Sequence, residues 1–211
     1  MLGAEIYDVD LSANLDKTQI ADIRRALLDN LVIFFRDQNL TDEDLVRVGK
    51  YFGELAPLPP HRQNPGSQPE ILVVEKKPND KLNFGYEWHS DTTHLPIPPL
   101  GSILYALKVP RYGGDTMFAN QYVAYETLSD SVKDTLDGMR AIHGNGRIMR
   151  TLEDKVSPAR GQEAVSAAWS TDTSSHPIVR THPETGEKIR NWVIDHPFPP
   201  ELEAAIRESF E

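Results

Sequence analysis

The chain contains no cysteine. That excludes a disulfide framework and any thiolate chemistry, whether nucleophilic, redox or metal-binding. Long apolar runs are missing too. The longest, Leu31 to Phe35, falls far short of the roughly 20 residues that cross a bilayer. The N-terminus lacks a basic segment followed by an apolar stretch. No membrane partner and no signal peptide are therefore expected, and a cytoplasmic location is the default. Clustered positive charge is the third absence: Arg24-Arg25 and Lys76-Lys77 are only pairs, set against a formal net charge of −10. Phosphate backbones would be repelled, so nucleic acid is not an expected partner. Repeats and low-complexity tracts are absent as well. What remains, 39% apolar and 26% charged residues over 211 positions, is the make-up of one soluble domain, 1–211, with a sizeable core.

Periodicity and turn chemistry outline the elements. Ala4 to Leu11 alternates and predicts a strand. Asp16 to Asn30 repeats apolar residues at helical spacing, with Asp16 as a cap. Leu31 to Arg36 is β-rich and short. Thr41-Asp42-Glu43-Asp44 reads as a capping box opening a helix through Phe52, closed by Gly53. Pro57, Pro59, Pro60 and Pro65 enforce a loop, and Ile71 to Glu75 reads as a strand. Lys76 to Gly85 is polar and turn-rich, a candidate lid. Gly101 to Val109 and Asp115 to Ala119 read as strands around a Pro110–Gly114 turn. Ser129 to Met139 predicts a capped helix and Arg140 to His143 a short strand. Asn145 to Ser175 looks polar and irregular. Pro177 to Thr181 and Lys188 to Ile194 flank a Pro183-Glu184-Thr185-Gly186 turn, a hairpin signal. Pro200 to Phe210 reads as a last amphipathic helix. So many short strands favour a mainly β fold, a sandwich or barrel with flanking helices.

Chemistry concentrates in Glu87-Trp88-His89-Ser90-Asp91-Thr92-Thr93. In an extended strand, side chains two apart leave the same face, so His89 and Asp91 would converge. An imidazole and a carboxylate at one point are two thirds of a 2-His-1-carboxylate triad, which holds Fe(II) with open positions. A bland alternative is a surface histidine beside a turn aspartate. His94 could complete a compact His89, Asp91, His94 set, the ligand set of a Zn hydrolase. His143, His176, His182 and His196 all follow the pair at distances a triad accepts.

Trp88-His89-Ser90-Asp91, Gly113-Gly114-Asp115-Thr116 and His176-Pro177-Ile178-Val179-Arg180-Thr181-His182-Pro183 together resemble the taurine dioxygenase/TfdA-like family of Fe(II)- and 2-oxoglutarate-dependent dioxygenases. Leu2-Gly3-Ala4-Glu5-Ile6 and Phe34-Phe35-Arg36-Asp37-Gln38 are similar to that family too, in family order. The resemblance implies a double-stranded β-helix, or jelly roll. It implies that His89 and Asp91 ligate Fe(II), that Thr116 touches the 2-oxoglutarate carboxylate, and that O2 hydroxylates a small, anionic organic substrate with release of succinate and CO2. His61, Gly85 and Trp88 would line the substrate side. Taurine dioxygenases place an Asn where Gly85 stands, which argues against taurine itself. The family's distal histidine lies in a segment like Trp-Asp-Asn-Arg-x-x-x-His, followed by a basic stretch whose arginine pairs the far carboxylate of 2-oxoglutarate, and no such segment is visible here. His176 and His182 occupy an upstream motif and are expected to serve the hairpin. The C-terminal strands of the roll are thus expected to be lacking, in a partial chain, a diverged member or a sequence with segments removed. A non-catalytic fragment or degenerate member of the same fold is the competing reading, and a homo-oligomer stays open.

Overall fold

The computed structural model describes residues 2–56, 68–76, 88–144 and 173–190. These fall into two compact units, one of residues 1–75 and 99–120, the other of residues 76–98 and 121–211.

In the first unit, β1 (Ala4–Ile6) pairs in parallel with β2 (Ile33–Phe35), with Ala4 opposite Ile33 and Ile6 opposite Phe35. Parallel neighbours need a crossover, and α1 (Lys17–Asn30) supplies it. The Asp16 carboxylate accepts the Thr18 and Gln19 amides at 2.8 and 2.9 Å while the Gln19 side chain accepts the Asp16 amide. This reciprocal pairing satisfies N–H groups that the first helical turn leaves open. Thr41 and Asp44 repeat the device at the start of α2 (Asp42–Lys50). The Thr41 amide and hydroxyl, then Arg47, stabilise the ionised Asp44 carboxyl and hold it below the usual carboxylate range. Helical geometry stops at Lys50, and Tyr51 and Phe52 continue only as tight turns before Gly53.

Two long side chains tie the loop after β1 to this frame. Gln38 accepts the Leu11 amide and donates to the Val9 carbonyl, at 2.8 and 3.0 Å. Arg47 donates to the Leu11 and Ser12 carbonyls at 2.9 and 2.7 Å. Leu11, Ile23 and Val48 are buried beneath them. Gly49 allows a close approach, since a Cβ there would meet a Leu55 methyl at 2.7 Å.

The second unit holds α3 (Gln121–Glu126), α4 (Asp130–Leu136), β3 (Arg140–Gly144), β4 (Thr173–Pro177), β5 (Val179–Thr181) and β6 (Lys188–Arg190). β3 pairs antiparallel with β4, and β5 with β6. Leu128, Val132, Leu136 and Ile178 form the core, with Tyr125, Ala141 and Val179 against them. The Ile178 amide donates to the Met139 carbonyl at 3.0 Å, pinning the β4–β5 bend to the exit of α4.

Several expectations are corrected. Ile71–Glu75, Gly101–Val109 and Asp115–Ala119 join no strand ladder among the described residues. A strand needs a partner as well as apolar residues, and here Leu104, Leu107, Val109 and Met117 all stand exposed. Thr173–Ser175, expected to be irregular, belong to β4, and α3 was not foreseen. The described residues form a mixed helix–sheet arrangement with three two-stranded sheets, and no closed barrel is complete among them. None of the helices among them is long and apolar enough to cross a membrane. The expected final helix, most of the expected lid and most of the irregular stretch lie outside the described residues.

Leu136 is fully buried, at 0% exposure. Its replacement by Ala should cost about 2–5 kcal/mol, measured by urea unfolding, while Val123→Ala on an exposed position should cost less than about 0.5 kcal/mol.

Candidate metal site

The side chains of His89 and Asp91 converge: Nε2 lies 3.3 Å from a carboxylate oxygen. The backbone route differs from the extended strand expected. Trp88 to Ser90 have no regular structure and a turn begins at Asp91. The Leu95 amide donates to the Thr92 carbonyl at 3.0 Å, and Thr92 takes a φ of +53°. Beyond the turn, Pro96, Pro98 and Pro99 have no N–H to give a ladder.

Both side chains are open to solvent, at 44% and 63% exposure. An exposed pair of this kind contributes little to stability. It does suit a shared cation. Two atoms each about 2.1 Å from a first-row metal and at right angles lie roughly 3 Å apart. A nitrogen and a carboxylate oxygen, with no thiolate in the chain, are donors that Fe(II) accepts.

Among the described residues no group of three or more metal-binding side chains forms, so the compact His89, Asp91, His94 set is not assembled. Instead, the half-buried His94 offers its carbonyl to the Ser174 hydroxyl at 2.7 Å. His143 and His176 are buried in the β3–β4 sheet, their rings edge to face with centroids 5.1 Å apart. His176 Nε2 lies 3.0 Å from the Leu95 carbonyl oxygen. His182 Nδ1 accepts the Glu184 and Thr185 amides at 3.3 Å, so that ring closes the β5–β6 turn. His61, Gly85 and His196 lie outside the described residues.

Thr116 is exposed and follows Gly113 and Gly114, whose φ values of +75° and +79° suit glycine. It belongs to the first compact unit, whereas His89 and Asp91 belong to the second. Trp88, half exposed, adjoins His89 in sequence. Sequence reasoning missed the hydrogen bonds from Ser174 and His176 to residues 94 and 95. The alternation of Ser174 and His176 was a signal, but reading it required knowing that 173–177 is a strand.

A family model described as taurine catabolism dioxygenase TauD, TfdA family matches residues 1–210. The chain belongs to the TauD/TfdA family. An alpha-ketoglutarate-dependent sulfate ester dioxygenase of Pseudomonas putida is 33% identical over 189 residues, 89% of this chain and 62% of that protein. An alkylsulfatase of Acinetobacter baylyi is 33% identical, again over 89% of this chain and 58% of that protein. The chain thus spans about three fifths of the length of these curated TauD/TfdA relatives. The crystal structure of a taurine dioxygenase from Burkholderia xenovorans superposes with a TM-score of 0.71 at 33% identity, covering 99% of this chain and 68% of that one.

With its Nδ1 committed to the turn, His182 should be a structural residue. His182→Ala should lower stability by about 0.5–1.5 kcal/mol in chemical denaturation and leave Mn(II) affinity in a titration unchanged.

Proposed function

We propose that the protein acts as an Fe(II)- and 2-oxoglutarate-dependent dioxygenase on a small anionic organic substrate, on a double-stranded β-helix like that of its family. The observation that carries this reading is the 3.3 Å convergence of His89 and Asp91 in a chain of the TauD/TfdA family. His89 and Asp91 would hold the metal, and Thr116 would donate its hydroxyl to a 2-oxoglutarate carboxylate. When bound, Fe(II) and 2-oxoglutarate supply the activation of O2 and the oxidising equivalents, with succinate and CO2 as the products of the cosubstrate.

The chain's own residues have narrower tasks. His89 must present a neutral imidazole nitrogen, since a protonated ring has no lone pair to give. Asp91 brings a negative charge that offsets part of the metal's. Trp88, next to His89 in sequence, would offer an apolar surface to the substrate. His61 and Gly85 are assigned to the substrate side with Trp88. The sulfate ester dioxygenase and alkylsulfatase among the relatives favour a sulfate ester over taurine, in keeping with Gly85 at the position where taurine dioxygenases carry an amide. A cytoplasmic setting and a single domain, 1–211, complete the reading.

Oxygen uptake should require Fe(II) and 2-oxoglutarate together and yield succinate. Asp91→Ala should reduce it at least 100-fold, and Thr116→Val should raise the 2-oxoglutarate requirement about tenfold, the loss of one hydrogen bond to a charged group. Succinate formation by Asp91→Ala at the wild-type rate would remove the proposal.

A further inference from the structure

Among the described residues the pair belongs to no strand ladder, yet its nitrogen and oxygen atoms converge. Something must hold that turn. In β4, alternation puts Ser174 and His176 on one face. β3 adds His143 opposite Ser174 and Ala141 opposite His176. The Ser174 hydroxyl donates to the His94 carbonyl at 2.7 Å, and His176 Nε2 meets the Leu95 carbonyl at 3.0 Å. A carbonyl only accepts, so Nε2 carries the proton in that contact. The His143 ring, edge to face on His176, restrains the imidazole from turning away. Two consecutive carbonyls, three and four residues beyond Asp91, are thereby fixed to a strand. The Leu95 amide passes the constraint back to Thr92, whose left-handed φ of +53° is one that a β-branched residue adopts only when its surroundings impose it.

We infer that Ser174 and His176 are positioning residues for the metal pair: by holding the carbonyls of His94 and Leu95 they set the turn from which Asp91 meets His89. The inference rests on the Fe(II) reading above and adds to it two side chains that touch neither metal nor substrate. Their contribution is preorganisation. A loosened turn would have to be ordered each time metal binds, and losses of such supporting contacts typically weaken metal sites about 10–100-fold.

The test uses the full chain, Mn(II) as the probe, and two readouts that need no turnover: Mn(II) affinity by electron paramagnetic resonance, and hydrogen exchange at the Leu95 amide. His176→Leu keeps bulk and loses the donor, and should weaken Mn(II) about tenfold or more while speeding exchange at Leu95. His176→Gln places an N–H the same number of bonds from Cα and should restore most of the affinity. Ser174→Ala should weaken binding in the same direction, and decides the matter if His176→Leu does not fold. Wild-type affinity in Ser174→Ala together with His176→Leu, or in Ser174→Ala alone if His176→Leu does not fold, would overturn the inference. So would a Gln variant no better than Leu, since that would reduce His176 to a packing residue. Asp91→Ala separates the two levels: Mn(II) binding undiminished by that change overturns the Fe(II) reading and this inference together. Loss in Asp91→Ala with none in Ser174→Ala or His176→Leu overturns the inference alone.

Discussion

Backbone carbonyls need donors, and a segment outside any sheet must find them in side chains or solvent. Residues 88–98 carry His89 and Asp91 and lie in no strand, and Pro96 and Pro98 have no N–H to give a ladder. Ser174 and His176 provide donors to the carbonyls of residues 94 and 95. The second unit leads up to this contact. The side chain of Leu136 fills the core with Ile178, Ile178 fixes the β4–β5 bend to the exit of α4, and β4, in register with β3, presents Ser174 and His176 to the turn.

The electrostatics of the pair point the same way. An imidazole and a carboxylate 3.3 Å apart in solvent contribute little to folding. Their exposure leaves room around the pair for further ligands, which a burial-driven ion pair would not. The buried histidines show the opposite use of the same residue type. His143 and His176 sit in a sheet face with their rings stacked edge to face, and His182 gives its lone pair to a turn. Position in the fold, more than residue identity, decides which histidine is placed to serve a metal and which serves the scaffold.

Local chemistry made much of this readable before any coordinates. Asp16, Thr41 and Ser129 cap helices as their side chains suggest, because capping depends on neighbours three residues away. The β5–β6 hairpin around Pro183–Gly186 is equally local. Long-range pairing was not readable. β3 and β4 meet across 28 intervening residues, and nothing in Thr173-Ser174-Ser175 marks a strand. Ile103, Leu104 and Leu107 have the residue types of a strand, yet no partner reaches them among the described residues. The pair itself shows both sides. Spacing of two suggested convergence through an extended strand, and convergence is present, but a turn with Thr92 in a left-handed conformation produces it. The likeness to taurine and sulfate ester dioxygenases adds a chemical context that spacing alone could not supply.

The central claim is that His89 and Asp91 bind one metal ion between them. The most direct measurement is the anomalous scattering of Mn(II) in crystals of the protein grown with the metal. The account predicts a single strong peak within bonding distance, about 2.0–2.3 Å, of both His89 Nε2 and an Asp91 carboxylate oxygen, and its loss in Asp91→Ala. A peak on the His143–His176 face or at His182, with His89 and Asp91 left bare, would contradict it.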